Sequence, residues 1–493
     1  MSFTTKQLSF VKKTAEQDAI EEASVSGDPL KIVAYAGTGK TKTIEFISER
    51  RDVFGLYVAF NKAAQRDAER RMPANIMCRT FNSLGWEAMK VSEVWGFTGV
   101  GDTWRVPPKQ ALKALRLDDE TGISAVRATL RRFVQSLDET VGWKHVPREA
   151  LARFDDPGER REFSNEVVRA ARTLWYWMID PKVKEYPLPH DGYMKLWYHQ
   201  GGQLPFEPKM VLLDEGQDMS PINWALAEGW PGQKIVVGDS LQQIYAFRGA
   251  IDALDRVDYP TYYLTRSFRF GQVIAEMANA LLKLDGESRP PLEGNPDIES
   301  TVSFDGERPK GRHTVLCRTN MGLMDEALEL AKQGRSIAVV GQIDEALKLL
   351  TSAWALYSDD PKNVKHPDIR MLGDWDGLEE AAKDSPELAL TVRRVDQYRA
   401  KIPRIARELR QAVANDPDDA DVILSTVHKA KGMEWPMVRL ADDFPDLMRF
   451  DEEEGRWKVR KDERNLLYVA ATRAVKTLHG NTALLTGVGL SRV

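Results

Sequence analysis

The residues Ala34–Thr41, AYAGTGKT, set two glycines, a lysine and a threonine at the spacing of a phosphate-binding loop. Gly37 and Gly39 would let backbone N–H groups turn inward around phosphate oxygens. The helix that begins near Lys40 would point its positive end at the same anions. We therefore expect Lys40 to reach the β- and γ-phosphates of ATP and Thr41 to bind Mg²⁺. The alternative, a glycine-rich turn without function, fits poorly with the strand pattern before the loop and the helix pattern after it.

Two carboxylates follow a second apolar run, VLLDEGQD at 211–218. At the end of a strand, Asp214 would hold Mg²⁺ through water, and Glu215 would orient or deprotonate the attacking water. Acidic residues in such places are often only the solvated start of a loop. Hydrolysis of ATP, however, needs a metal and a positioned water near the phosphates, so the two segments support one another.

A third segment, IVVGDSLQQIYAFRGA at 235–250, runs from a buried-strand pattern directly into polar and aromatic residues. Asp239 and the glutamine pair after it indicate a ligand at the carboxyl end of the strand. Tyr245 and Phe247, spaced two residues apart, indicate a second and flatter ligand. The alternative is that both aromatic side chains pack in a core.

These segments require strands that alternate with helices. After the strand at Leu30, strand patterns occur at 54–60, 209–215, 234–239, 313–319, 336–341 and 421–427. Helical periodicity dominates 86–205 and 343–417. Strands that alternate with helices predict parallel sheets. The predicted fold class is therefore α/β, with two cores that are each interrupted by a helical insertion.

The composition is that of an ordinary globular protein. The chain has 493 residues, 42% of them hydrophobic, and a formal net charge of -5, which argues against a generic polybasic nucleic-acid coat. Two distant cysteines, Cys78 and Cys317, exclude a disulfide framework or a zinc cluster built from thiols alone. No apolar run is long enough to span a membrane, and the N-terminus lacks a signal-peptide core. We expect a cytoplasmic protein without a membrane association.

In their order, AYAGTGKT, DEGQD and VGDSLQQIYAFRGA resemble motifs of the UvrD/Rep-like superfamily 1 DNA helicases. Other matching stretches are TAEQDAI (14–20), VAFNKAAQ (58–65), CRTFNSLG (78–85), LTRSFRF (264–270), STVHKAKGMEW (425–435) and RNLLYVAATRA (464–474). HDGYMKLW (190–197) and SFRFG resemble the subgroup that includes the F-box DNA helicase. No F-box sequence precedes these motifs, so we expect only the motor to be shared.

The resemblance implies two RecA-like P-loop domains with ATP between them. The first domain is expected at 1–85 and 206–260, and the second at 261–342 and 418–493. The region 86–205 would be a helical insertion into the first domain. A smaller helical insertion into the second domain is expected at 343–417.

The resemblance also assigns roles to individual residues. Those expected to act in catalysis are Lys40, Glu215, the γ-phosphate sensor Gln242 and two arginine fingers, Arg269 and Arg473. Those expected to bind ATP are Gln17 at the adenine, Ala36, Gly37, Thr38, Gly39, Lys40, Thr41, Lys42 and, at the ribose, Glu434. Those expected to bind Mg²⁺ are Thr41 and Asp214. Those expected to contact DNA are Phe60, Asn61, Thr80, Tyr245, Phe247, Arg248 and His428.

These assignments predict an ATP-dependent translocase on single-stranded DNA that unwinds duplex junctions, moves 3′ to 5′ and acts as a monomer. The second insertion spans only about 75 residues, so a protein partner that stimulates unwinding is a further hypothesis. The alternative is an ATP-switched DNA-binding subunit of a repair or defence complex that does not unwind DNA itself. Gly216, Asn82 and the pair Ser267-Phe268 depart from the family pattern, but none removes a charge that hydrolysis needs.

Overall fold

The computed structural model describes residues 13–97, 99–101, 115, 120–246, 249–286, 288–305, 308–341, 343–383, 385–414, 416–451, 454–487 and 489. Within these ranges the chain forms two six-stranded sheets, and every strand pair in both sheets is parallel. The predicted α/β class with two RecA-like cores is confirmed. No helix in the described ranges is long and apolar enough to cross a membrane.

The first sheet has the strand order β3-β2-β6-β7-β1-β8. Its strands are β1 (Leu30–Ala34), β2 (Gly55–Ala59), β3 (Ile76–Thr80), β6 (Met210–Leu213), β7 (Gln233–Gly238) and β8 (Thr261–Leu264). The central strands read as continuous apolar runs, and all four residues of β6 are buried. This is expected of a parallel sheet with helices on both faces.

The helices of the first half carry the connections between these strands and the first insertion. They are α1 (Ala15–Ser24), α2 (Lys40–Arg50), α3 (Lys62–Glu69), α4 (Phe81–Ala88), α5 (Val91–Val94), α6 (Glu120–Gln135), α7 (Pro157–Ile179), α8 (His190–His199) and α9 (Pro221–Gly229). Two short strands, β4 (Val100–Gly101) and β5 (Leu188–Pro189), pair in parallel within the insertion. The long helix α7 begins with Pro157 after Asp156, whose carboxylate accepts from the Glu159 amide at 2.9 Å, a standard N-terminal cap.

The second sheet has the strand order β11-β12-β10-β13-β16-β9. Its strands are β9 (Thr301–Ser303), β10 (His313–Cys317), β11 (Ile337–Val339), β12 (Val422–Thr426), β13 (Trp435–Leu440) and β16 (Ala474–His479). A separate antiparallel hairpin pairs β14 (Met448–Asp451) with β15 (Arg456–Val459).

The helices of the second half include those of the smaller insertion. They are α10 (Gln272–Leu282), α11 (Asn320–Lys332), α12 (Ile343–Tyr357), α13 (Pro367–Met371), α14 (Trp375–Ala382), α15 (Pro386–Tyr398), α16 (Ile402–Ala412), α17 (Val427–Ala430), α18 (Lys461–Ala471) and α19 (Thr482–Gly487). Buried residues of α12 and α16 share one apolar core with β10 and β12. The smaller insertion is therefore packed onto the second sheet.

One predicted boundary is wrong. The second domain was expected to begin at 261, but β8 pairs with β1 along Lys31–Ala34 and so completes the first sheet. The crossover to the second sheet therefore follows Leu264. The error arises because β8, TYYL, is a short edge strand in which only Leu264 is buried, and such a strand lacks the apolar run by which the central strands were recognised.

Candidate functional site

The loop between β1 and α2 is built by two glycines in the left-handed region. Gly37 has φ 76° and Gly39 has φ 80°, which favours glycine because a Cβ is strained there. A Cβ on Gly37 would also lie 2.6 Å from Ser267 Oγ and 2.7 Å from Arg269 Cβ. The loop is therefore packed against the segment that links the two sheets.

The carboxyl end of β6 brings two acids to this loop. The Lys40 ammonium donates to Glu215 Oε1 and lies 3.4 Å from Asp214 Oδ1. The Tyr57 hydroxyl donates to Asp214 Oδ2 at 2.7 Å. The Glu215 backbone, with φ 54° and ψ 45°, adopts a left-handed conformation that is uncommon for a residue other than glycine and that is often found at functional sites.

Charge pairing keeps this cluster ionised. Burial would lower the pKa of Lys40, but Asp214 and Glu215 raise it above its ordinary value. Burial would raise the pKa of Glu215, but Lys40 and then Lys431 lower it to about 2. Glu215 is therefore a carboxylate at neutral pH, as a residue that takes a proton from water must be.

A second layer of polar groups holds Glu215 from behind. Gln217 is fully buried; its Nε2 donates to Glu215 Oε2 at 2.5 Å, and its Oε1 accepts from the Asp239 amide at 3.0 Å. The Lys431 ammonium donates to Asp218 Oδ2 and lies 3.8 Å from Glu215 Oε2. Residue 431 lies beyond β12 in the second half of the chain, so both halves fix the position of this carboxylate.

Tyr468 on α18 connects the phosphate loop to the strand end of β7. Its buried hydroxyl accepts from the Ala36 amide at 3.2 Å and donates to Asp239 Oδ2 at 3.1 Å. The same Asp239 oxygen accepts from Gln242 Nε2 at 2.7 Å. One hydroxyl thus joins the loop, the second sheet's helix and the glutamine that was predicted to sense the γ-phosphate.

The two predicted arginine fingers meet at this junction. Arg269 Nε donates to Glu434 Oε2 at 2.6 Å, and its Nη1 donates to the Thr472 carbonyl at 3.1 Å. Arg473 is 1% exposed, and its guanidinium donates to two backbone carbonyls and the Thr472 hydroxyl. Burial and then the charge of Arg269 lower the pKa of Arg473 to about 9, which still leaves it charged at neutral pH.

Gln17 and Phe268 flank the other side of the loop. Gln17 is 2% exposed and donates from Nε2 to Thr43 Oγ1 at 3.2 Å. A Cβ on Gly39 would lie 3.4 Å from Gln17 Nε2 and 3.3 Å from Phe268 Cε2. Phe268 remains 42% exposed, so it offers a flat apolar face beside an amide, a combination suited to a base.

The remaining predicted nucleotide residues have local partners. Thr38 is buried, and its hydroxyl donates to the Tyr35 carbonyl at 2.8 Å. Lys42 donates to Glu45 at 2.6 Å. Thr41 lies in the first turn of α2, directly after Lys40.

A partly exposed aromatic row, formed by Phe60, Tyr245 and His428, lies beside the hydrolytic cluster. The rings of Phe60 and Tyr245 are stacked, with centroids 6.3 Å apart and an angle of 15° between their planes. Tyr245 also donates to the His428 carbonyl at 3.1 Å, with ring centroids 6.1 Å apart. Phe60 is 49% exposed. The row therefore spans both halves of the chain and offers faces for flat ligands.

Lys431 joins the row to the hydrolytic cluster. Its ammonium lies 5.5 Å from the centroid of the Tyr245 ring and donates to the Gln242 carbonyl at 2.7 Å.

Two other predicted DNA residues cap helices. Asn61 Oδ1 accepts from the Ala64 amide at the start of α3, and the Thr80 hydroxyl accepts from the Ser83 amide at the start of α4. Phe247 and Arg248 lie outside the described residues.

Several site residues were not assigned from the sequence, among them Gln217, Tyr468 and Phe268. Each lies inside a segment that was recognised for a charged neighbour. Gln217 stands between acidic residues that drew the assignment to themselves, and Tyr468 looks like a core residue because its helix is largely apolar. Phe268 was noted only as a departure from the family pattern. Their roles depend on contacts between distant parts of the chain, which no local spacing reveals.

Comparison with known protein families matches two regions of the chain. An AAA domain matches residues 16–248, which include the phosphate loop, both acids and Tyr245. The UvrD-like helicase C-terminal domain matches residues 398–481, which include His428, Lys431, Tyr468 and Arg473. The chain belongs to the UvrD-like helicases. The predicted family is therefore confirmed.

Individual relatives agree with this family. The chain is 31% identical over 523 residues to F-box DNA helicase 1 of Gallus gallus, covering 97% of this chain and 50% of the relative. It is 32% identical over 510 residues to F-box DNA helicase protein 1 of Schizosaccharomyces pombe, covering 94% and 57%. ATP-dependent DNA helicase UvrD2 of Mycobacterium bovis is 27% identical over 54% of this chain and 46% of its own length. The chain thus spans about half the length of these relatives.

Proposed function

We propose that this UvrD-like chain is an ATP-driven translocase on single-stranded DNA and a DNA helicase that moves 3′ to 5′. The observation that carries the proposal is Lys431, whose ammonium reaches both the Asp218–Glu215 side of the hydrolytic cluster and the Tyr245 ring. A single side chain thus links the group that positions water with the row that would hold bases. The direction of movement rests on the family resemblance.

In this proposal ATP binds between the two sheets. Phosphate oxygens compete with Glu215 and Asp214 for the Lys40 ammonium, and loop amides from Ala36 to Gly39 cradle the remaining oxygens. Arg269 and Arg473 supply positive charge from the opposite side, a contribution that can reach about 10³–10⁵ in rate. Gln17 and Phe268 would hold the adenine, and Lys42 and Glu434 would complete the nucleotide site.

The donor set fits Mg²⁺. The Asp214 carboxylate and the Thr41 hydroxyl are hard oxygen ligands of the kind that Mg²⁺ takes alongside water and phosphate. Bound Mg²⁺ would neutralise charge on the β- and γ-phosphates. Glu215, held by Gln217 and kept ionised by its lysine neighbours, then orients the attacking water.

DNA would bind along the aromatic row. Phe60, Tyr245 and His428 offer stacking faces that accept any base, and each base that stacks on an aromatic side chain contributes about 1–3 kcal/mol. Because Tyr468 ties Ala36 to Asp239 and Gln242, release of the γ-phosphate would change the contacts of the segment that ends in Tyr245. Alternating grip on the strand would follow from this coupling.

The second candidate is an ATP-switched DNA-binding subunit that does not unwind. The short insertion of 343–417 favours it, because this insertion packs onto the second sheet and offers less structure for duplex handling.

Under the first proposal the protein acts as a monomer in the cytoplasm, where a reducing environment suits its two buried free cysteines. The short insertion also leads us to propose a partner protein that stimulates unwinding; unwinding of long duplexes by the purified monomer alone would refute this partner.

Strand displacement separates the two candidates. The purified chain would be mixed with ATP, Mg²⁺ and a short duplex that carries a 3′ tail, a 5′ tail or no tail. We expect displacement of the 3′-tailed duplex and none by Glu215→Gln, which keeps the shape of the side chain but loses its charge. If the wild-type chain binds DNA and hydrolyses ATP but displaces no strand from any of the three duplexes, the switched subunit is favoured. Displacement only from the duplex with the 5′ tail would refute the proposed direction.

A further inference from the structure

The first insertion carries an exposed cleft that the ATP site and the aromatic row do not use. It has a volume of about 450 Å³ and lies between α7 and the 3-10 helix Trp143–His145. The residues that matter for its chemistry are Trp143, Asn165, Arg169, Arg172, Thr173 and Tyr176. No acidic residue in the described part of the chain lines it.

The two aromatic side chains of this cleft are unusually exposed. Trp143 is 79% exposed and Tyr176 is 66% exposed, although large aromatic residues are normally well buried. Arg169 and Arg172 are exposed on the same helix, and neither forms an ion pair with a described residue. By contrast Arg132, at the end of α6, is paired with Glu149 at 3.2 Å. Aromatic faces beside arginines without acids suit an anionic ligand that also has flat groups.

The segment that presents Trp143 is held in place by buried polar contacts. The Lys195 ammonium, which is fully buried, donates to the carbonyls of Ser136 and Asp138. Asp138 accepts from His145 Nε2 at 2.8 Å and from Lys144 at 2.6 Å. Arg172 Nε donates to the Val141 carbonyl at 2.8 Å. These contacts fix the backbone on both sides of Trp143 while leaving its indole outside, so the exposure is built into the loop.

The cleft is also connected to the segment that carries Tyr245. A Cβ on Gly249 would lie 3.6 Å from Gln135 Oε1, and Gln135 ends α6 directly before the loop that presents Trp143. The stretches from Tyr245 to Gly249 and from Gln135 to Trp143 have twelve residue steps in all. With about 8 Å added for the contact through the Gln135 side chain, the path is at most about 50 Å. About 15 nucleotides span this distance even at the spacing of one strand of a duplex, about 3.4 Å per nucleotide.

We propose that this cleft is a second site for single-stranded DNA, continuous with the aromatic row. An unpaired base would stack on Trp143 or Tyr176 while Arg169 and Arg172 bind its phosphates. Unpaired bases are required because a duplex does not expose their faces. The site rests on the proposed function, which it deepens by extending the contact to the strand that lies beyond the motor.

The test is the affinity of the full chain for labelled oligothymidylate of about 20 nucleotides, long enough to reach both sites, measured by fluorescence anisotropy over a range of salt concentrations. We expect Trp143→Ala to raise Kd by about fivefold or more, because the loss of one stacked base costs at least about 1 kcal/mol. Trp143→Phe keeps an aromatic face, so its Kd should lie within about twofold of the wild-type value. Arg169→Gln should reduce the slope of log Kd against log salt by about 0.7, the value for one phosphate on a single strand.

Matched controls are Trp457→Ala, 63% exposed on β15, and Arg404→Gln, 81% exposed on α16, for which we expect wild-type Kd and slope. The ATPase kcat at saturating DNA should be the same in Trp143→Ala as in wild type, while the DNA concentration for half-maximal stimulation rises. Wild-type Kd and salt slope in both Trp143→Ala and Arg169→Gln would overturn the second site and leave the cleft to a protein ligand. Absence of DNA binding by the wild-type chain would instead refute the proposed function itself.

Discussion

Tyr468→Phe tests whether the hydroxyl that joins the two halves of the chain controls hydrolysis. The ring is fully buried and would be retained, so only the contacts with Ala36 N at 3.2 Å and Asp239 Oδ2 at 3.1 Å are lost. Asp239 keeps its bonds from Gln242 and from the Leu241 amide. The change therefore leaves one amide and part of one carboxylate without a partner.

The magnitude follows from those two lost contacts. A buried polar group left without a hydrogen bond costs about 1–3 kcal/mol, and a hydrogen bond to a charged group contributes about 1.5–3 kcal/mol. If about 2–3 kcal/mol of this stabilises the arrangement in which both halves surround ATP, kcat falls by about 30–150-fold. The KM for ATP should change by less than about threefold, because Tyr468 is expected to act through Ala36, Asp239 and Gln242.

Steady-state ATP hydrolysis at saturating single-stranded DNA, together with thermal unfolding, provides the assay. Tyr193→Phe, in the first insertion, is the matched control: it also removes a buried hydroxyl, which donates to the Asn82 carbonyl of α4 at 3.3 Å. We expect both variants to lose some thermal stability and only Tyr468→Phe to lose kcat. A kcat within about threefold of wild type for Tyr468→Phe would refute the reasoning.

Three further changes have expected outcomes. Tyr245→Ala should weaken binding of single-stranded DNA by about 5–150-fold through the loss of one stacked base. ATP binding is the control, and an unchanged affinity for DNA would exclude the aromatic row as the DNA-binding site. Arg473→Ala should lower kcat by about 10³-fold or more while a fluorescent ATP analogue still binds, and a smaller loss would exclude a finger. Burial raises the pKa of Asp218 to about 6 despite Lys431. Protonation of Asp218 should weaken its pair with Lys431, so the ATPase rate should fall as the pH drops below about 6. The rate of Asp218→Asn should not fall in this range; if it does, another group causes the loss of activity.

The features of the site and fold that have local causes could be predicted from the sequence. The glycines of the phosphate loop, the acids after β6 and the alternation of strands and helices all have short-range causes, namely backbone freedom, strand ends and apolar runs. The structure accordingly brings Lys40, Asp214 and Glu215 together as expected. The resemblance supplied the partners that come from the second half, including Arg473 and His428.

Contacts that depend on long-range packing could not be predicted. The bond from Tyr468 to Asp239 joins residues 229 positions apart, and only the folded chain shows that the hydroxyl is buried between them. β8 was misplaced because the pairing of a short, partly buried strand depends on β1 rather than on its own composition. The exposure of Trp143 likewise depends on Lys195 of α8, which holds its loop from another element, and on the contacts of Asp138 within that loop.

The central claim is that hydrolysis of ATP is coupled to a grip on single-stranded DNA. Its most direct test is the ATPase rate of the purified chain without nucleic acid and with single-stranded DNA, RNA or blunt duplex, beside Lys40→Ala and Tyr245→Ala. We expect strong stimulation by single-stranded DNA, no hydrolysis by Lys40→Ala, and a higher DNA requirement for Tyr245→Ala. A hydrolysis rate that is the same with and without nucleic acid would contradict it.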